Sequence, residues 1–139
     1  MPPPADGPRP TFRSPCPIAS ALDLVGDRWT LVILRTVLAG RRRYGDLLAI
    51  PERISTNILA ARLAEMEANG LLTRRPYRHA PTRYEYLPTR KGAALLPVLQ
   101  DLARWAEGQI PDRWPLPDWF VSAVPDDYPE PDAVRAEPR

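Results

Sequence analysis

The chain has 139 residues, 44% hydrophobic and 26% charged, with a formal net charge of +2, which suits one globular domain with tails and excludes wholesale disorder or two large domains. No apolar run approaches the roughly 18 residues of a membrane span, and the opening Met1-Pro2-Pro3-Pro4 lacks the basic-then-apolar order of a secretory signal. One cysteine, Cys16, and one histidine, His79, exclude an internal disulfide and a cysteine-rich zinc site, so a cytoplasmic protein without metal or cofactor is expected.

Seven of the 19 prolines fall in residues 1–17 and seven in 111–139, leaving five for the stretch between them. Charge divides along the same boundary: residues 1–110 carry a balance of +6, and residues 111–139 a balance of −4. A basic domain with an acidic tail is hidden inside a mild total. All but one of the cationic residues are arginine, which suits phosphate recognition and equally a GC-rich coding genome.

In chain order, residues 1–16 read as a flexible Pro-rich arm. Pro17 can open a helix in which Ile18, Ala21, Leu22 and Val25 make one stripe, closed by Gly26. Asp27 can cap a second helix, apolar nearly all round from Trp29 to Leu38 and therefore buried, with Gly40 as its stop. Arg41-Arg42-Arg43 leads into a short helix through Tyr44, Asp46 and Leu47. Ser55 is a good N-cap for a helix running to about Asn69, with Ile58, Leu59, Leu63 and Met66 as its buried stripe, a staple from Ile54 to Leu59, and Gly70 as its stop. Leu72–Tyr77 and Tyr84–Leu87 are β-compatible and flank a short, charged tip that contains Pro81. Thr89 caps a long final helix with Leu95, Leu99, Leu102 and Ala106 on one face, in which Pro97 predicts a kink.

A short helix, a turn and a second helix with a polar first turn describe a helix-turn-helix. Ser55, Thr56 and Asn57 open the second helix, and Ala60, Ala61 and Arg62 continue its outer face. In such a unit these positions reach base edges in the major groove, Asn57 suiting adenine and Arg62 guanine or phosphate. A solvated polar face would look the same on this helix alone. The hairpin shifts the balance, because Arg74, Arg75, Arg78, His79 and Arg83 make it a cationic wing able to hold phosphate or enter the minor groove. Arg43 adds a third cationic position at the turn. Double-stranded DNA is the expected partner.

From Cys16 to about Gly108 the chain resembles the HxlR-type winged helix-turn-helix family of bacterial transcription regulators. The resemblance rests on Cys16-Pro17-Ile18, Leu22-Asp23-Leu24-Val25-Gly26, Arg28-Trp29-Thr30, Arg43-Tyr44-Gly45-Asp46-Leu47, Ile54-Ser55, Gly70-Leu71, Pro81-Thr82-Arg83-Tyr84-Glu85-Tyr86, Thr89, Gly92 and Leu96-Pro97-Val98-Leu99. It implies a mainly α fold with a small β-hairpin, a domain over residues 17–110, and a homodimer joined through the first and last helices. It also implies a regulator, usually a repressor, on an inverted-repeat operator, in some members answering to an oxidant or a small-molecule effector. Two departures stand out: Ala60 and Ala61 replace polar residues, and Pro88 is expected to shorten the second strand.

Cys16 lies where some relatives sense oxidants, and a helix N-terminus lowers a thiol pKa; an inert thiol is the plainer reading. Asp23, Asp27 and Asp46 sit at helix starts and suit capping better than acid catalysis. Ser14 and Ser20 have no histidine nearby in sequence, so no catalytic residues are expected and the chain does not read as an enzyme. Trp114, Leu116, Trp119, Phe120, Val121 and Val124 predict that residues 111–124 pack on a domain, whereas 125–139, acidic and Pro-rich, are expected to be disordered. The rival to a DNA-binding regulator is a winged-helix module that binds proteins.

Overall fold

The computed structural model describes residues 11–131. The expected arm over residues 1–10 and the expected disorder over 132–139 lie outside the described residues. The first helix, α1, spans Pro17–Val25, with proline in its first turn where a missing N–H costs nothing. Residues 11–16 do not behave as a flexible arm. The Arg13 backbone N–H and Nε both donate to the Asp23 carboxylate, at 3.1 and 2.6 Å, and lay the segment on α1.

Helix α2 spans Thr30–Leu38 and runs through the middle of the core, its Ile33, Leu34 and Val37 wholly buried. Asp27 holds its start. The carboxylate accepts the backbone N–H groups of Trp29 and Thr30, each at 2.9 Å, and the Thr30 hydroxyl as well. Burial alone would raise the Asp27 pKa, but the Thr30 hydroxyl, the two N–H groups and the nearby Arg62 outweigh it and hold the carboxyl below its ordinary value. Gly40, at φ +95°, turns the chain out of α2 in a conformation that L side chains rarely adopt.

Helix α3 is short, Tyr44–Leu48, and its Asp46 carboxylate accepts the Arg43 N–H at 3.2 Å. Helix α4 spans Thr56–Ala68, and the Ser55 hydroxyl accepts the Ile58 N–H at 3.2 Å. Leu59, Leu63 and Met66 enter the core as their spacing predicts. Ile58 does not: it is 41% exposed, because it stands beside the buried i, i+4, i+7 stripe.

Strands β1 (Leu72–His79) and β2 (Thr82–Pro88) form an antiparallel hairpin longer than the sequence suggests, with only Ala80 and Pro81 between them. Pro88 does not shorten β2; it lies opposite Leu72 at the last position of the ladder, where a proline is tolerated at a strand end. The loop before α3 adds a stub to the sheet, through a bridge between Arg43 and Glu85 and a 2.8 Å bond from the Tyr86 N–H to the Arg42 carbonyl.

The single kinked C-terminal helix resolves into two. Helix α5 is one turn, Arg90–Ala93, capped by the Thr89 hydroxyl, and α6 begins afresh at Leu96 and runs to Gln109. Pro97 falls in the first turn of α6, where it removes no helical hydrogen bond; the chain breaks before it instead of bending around it. Gly92 is buried against the start of the wing, so close that a Cβ there would meet the Leu71 carbonyl oxygen.

The extension returns to the body. Helix α7 (Asp118–Ser122) buries Phe120, and the buried Gln100 amide donates to the Phe120 and Ala123 carbonyls, each at 2.9 Å. Residues 125–131 are not disordered. The Tyr128 hydroxyl donates to the Leu38 carbonyl at 2.8 Å, Glu130 accepts the Arg90 N–H at 2.9 Å, and Pro131 is buried. These anchors offset the ordering entropy that composition alone leaves unopposed.

Two outcomes test this packing. Gly92→Ala should lower the urea-unfolding free energy by about 2 kcal/mol through overpacking, with Gly45→Ala, whose Cβ would meet open space, as the control. Asp27→Ala should cost about 1 kcal/mol at neutral pH through loss of the helix-start bonds. Because the folded carboxyl pKa is depressed, its contribution is fully present above the ordinary value of 3.8 and disappears as the pH falls through the lower folded one. The stability gap between wild type and Asp27→Ala should therefore narrow in acid denaturant titrations.

Candidate nucleic-acid interface

The first turn of α4 stands clear of the body. Ser55, Thr56, Asn57 and Ile58 are all exposed, and so are Ala60 and Ala61. Ser55 spends its oxygen on the Ile58 N–H, leaving its hydroxyl proton to donate outward. The Thr56 carbonyl accepts from the Tyr44 hydroxyl at 3.4 Å, which ties α3 to the beginning of α4. Asn57 has no side-chain partner among the described residues and keeps the donor and acceptor pair that adenine recognition needs.

Arg62 is differently placed. Its guanidinium lies 2.7 Å from Glu65 and 3.8 Å from Asp27, and only about a quarter of the side chain is exposed. It fastens α4 to the start of α2 and presents little charge outward. The pattern of an outer helical face gave no sign of this, because the partner Asp27 is 35 positions earlier in the sequence.

The wing sorts its cations by height. At its base Arg75 forks onto Glu85, with Nε at 3.1 Å and a terminal nitrogen at 2.6 Å, and Arg74 pairs with Glu67 at 3.2 Å while stacking on Tyr84. Both charges are satisfied within the fold. At the tip Arg78 and Arg83 face each other across the ladder, exposed and without an anionic partner among the described residues, beside exposed His79. Two like charges placed opposite one another repel, an arrangement that an external anion relieves.

Arg43 bridges the two halves. Its backbone opens α3, and its guanidinium lies 3.8 Å above the Tyr77 ring on β1. The side chain remains exposed, so the turn and the wing present one continuous cationic edge. Sequence reasoning missed Tyr77 as the platform for Arg43. It also missed Arg53, exposed in the turn before α4 at φ +64°, and Ile58, an exposed apolar neighbour of Asn57 suited to a thymine methyl. The helical phase of Ile58, one position off the stripe of Leu59, Leu63 and Met66, could have exposed the last of these.

Away from this face, Cys16 is exposed at the N-terminal end of α1, and Trp29 is half-buried against the core. Ile18 and Leu22 on α1, and Val98, Leu102 and Trp105 on α6, are large apolar residues between 48% and 73% exposed. The i, i+4, i+7 spacing of the α6 set makes a single uncovered stripe. No helix among the described residues is long and apolar enough to cross a membrane.

Similarity to other proteins runs in the same direction. The chain is 38% identical over 84 residues to the uncharacterized HTH-type transcriptional regulator sll1512 of Synechocystis sp., a match covering 60% of this chain and 62% of that protein's length. Among solved structures it is similar to PA1607, at 33% identity and a TM-score of 0.67, over 75% of this chain and 73% of that one. It is also similar to the oxidized form of the redox regulator HypR, at 29% identity and a TM-score of 0.63, over 68% and 97%. The family model described as HxlR-like helix-turn-helix matches residues 24–113, from the end of α1 to just past α6. The chain belongs to the HxlR-like helix-turn-helix family of transcriptional regulators.

Proposed function

We propose that the protein is a homodimeric repressor that binds an inverted-repeat operator, with the first turn of α4 in the major groove and the wing tip on the adjacent backbone or minor groove. The observation that carries this reading is that Asn57, Arg78 and Arg83, exposed like Arg43, have no side-chain partner among the described residues, while the neighbouring Arg74 and Arg75 are neutralised internally. Ser55, Thr56 and Asn57 are the proposed base readers. Arg62 joins them only by exchanging Asp27 and Glu65 for a guanine or a phosphate, so its contribution is the smallest of the set. Arg43, Arg78 and Arg83 hold phosphate.

The uncovered apolar stripes of α1 and α6 support a two-fold dimer through these helices. Two-fold symmetry sets half-site centres about 34 Å apart along the duplex. A repressor acts there by occluding the promoter, and an effector acts by altering the distance between the two α4 helices. Control through Cys16 is a secondary reading, supported by the exposure of the thiol and by the likeness to HypR. Cys16→Ser should then abolish an oxidant response and spare DNA affinity.

Selection of bound sites from random duplexes at two salt concentrations tests the main reading. Symmetric half-sites with steep salt dependence are expected; salt-insensitive, unselective binding would favour the protein-interaction alternative. In anisotropy titrations Arg83→Ala should weaken binding to every sequence alike and lower the salt slope by about one, whereas Asn57→Ala should relax preference at one position per half-site at a cost of about 1–3 kcal/mol. Sedimentation should find a dimer in the wild type, and Leu102→Glu with Trp105→Glu should give a folded monomer that binds a half-site only.

A further inference from the structure

A cavity lies outside the cationic edge. It is a cleft of about 890 Å³ between α2, α6 and the returning extension, walled by Leu31, Val32, Leu99, Ala103, Trp114 and Trp119 and bordered by Leu102 of the proposed dimer stripe. Its size falls within the range of about 300–1,000 Å³ typical of small-molecule sites, and its walls are mostly apolar. Trp114, 75% exposed, stands at the cleft with its indole uncovered.

The charges around the cleft are unequal in availability. Arg35 and Glu52 satisfy each other through two bonds, at 2.8 and 3.0 Å. Arg113 donates through Nε to the Pro111 carbonyl at 3.2 Å, which positions its guanidinium without cancelling the charge, so it sets one cation against the two acids that follow. Glu107 and Asp112 also line the cleft, both exposed, and neither has an ion-pair partner among the described residues. They sit where α6 ends at Gln109, so the helix dipole adds to their negative potential. Carboxylates, a helix C-terminus and indole faces all favour positive charge, and the apolar walls favour a large aromatic body.

We propose that this cleft binds a lipophilic aromatic cation. Its aromatic groups pack between α2 and α6 against the indoles of Trp114 and Trp119, and its charge lies toward Glu107 and Asp112. The site also touches the DNA-facing half. Glu52 is in the turn three residues before Ser55, and the Arg35–Glu52 pair ties that turn to α2, so an occupant on this wall biases the position of the first turn of α4. That consequence rests on the regulator reading; the binding itself does not.

Tetraphenylphosphonium and tetraphenylborate have the same shape and opposite charge and make a direct test on the full-length protein. Tetraphenylphosphonium should quench tryptophan fluorescence saturably and bind about tenfold more tightly than tetraphenylborate, the size expected from one cation–π contact with a helix terminus. Glu107→Gln with Asp112→Asn, two exposed positions, should erase that preference, and Trp114→Phe should reduce the quench. Absent saturation, equal or tighter borate binding, or a preference that survives the double substitution would overturn the site. Saturating phosphonium should change duplex affinity at least about threefold, well within the range of allosteric couplings; unchanged affinity would overturn the link to α4. A protein that binds phosphonium but no duplex would keep the site and refute the regulator reading.

Discussion

The close approach of Gly92 to the Leu71 carbonyl fixes how the wing stands relative to α4. At this seam α4 has just ended, β1 is about to begin and α5 lies directly on the backbone between them. Three further bonds close it: the Thr89 hydroxyl and N–H donate to the Gly70 and Leu71 carbonyls, and the Lys91 ammonium donates to the Asn69 carbonyl at 2.8 Å. The carbonyls of Asn69, Gly70 and Leu71, just past α4, are thereby held by the residues that follow β2. A side chain at position 92 would wedge the seam open and swing the wing away from α4, and the DNA-binding surface proposed for those two elements depends on their angle.

Electrostatics then decides which arginines remain for a partner. Arg75 has its carboxylate directly opposite on the neighbouring strand, and Arg74 reaches back to Glu67 on α4. These pairs hold the base of the hairpin to the body, and their charge is cancelled at short range. Beyond them the ladder offers no acid, so Arg78 and Arg83 extend from a stiff, locally neutral stem. Arg43 belongs to the same surface through Tyr77, a contact across 34 positions of sequence. A cationic edge built this way has few mobile charges, and phosphate contacts made by positioned side chains lose less conformational entropy than those of a loose basic loop.

Much of this was legible in the sequence because it is local. Proline at the head of α1, Asp27 before α2, Ser55 before α4 and Gly70 after it are signals read within a turn of the residue concerned, and the helices fall where these residues put them. Apart from Ile58, whose helical phase was misjudged, the failures are cases in which a contact elsewhere outvoted a local pattern. Pro97 looks like a kink only if the helix is assumed to begin at Thr89; the seam at Gly92 ends that helix first. Arg62 looks outward until Asp27 is folded beside it. The hairpin looked shorter because Arg78 and Thr82 carry loop-like composition, while the pairing of the strands next to them carries the ladder to His79 and Thr82.

The extension shows the same competition most plainly. Its composition is that of a segment unable to offset its own ordering, and on average that is a sound rule. Averages overlook spacing. Trp119 and Phe120 stack edge to face, Tyr128 reaches the last carbonyl of α2, and Glu130 takes the N–H that opens α5, so one anchor recurs every few residues. Prolines between anchors lower the entropy of the unfolded segment, which makes each anchor more effective than it would be in a flexible chain. The result is a strap from the end of α6 across α2 to α5. It gives the cleft its third wall, and it joins that wall to the Leu38 end of the helix whose other contacts hold α4. The proposed cleft site is thus joined to the body on two sides: through Arg35 and Glu52 to the turn before α4, and through the strap to α2 and α5.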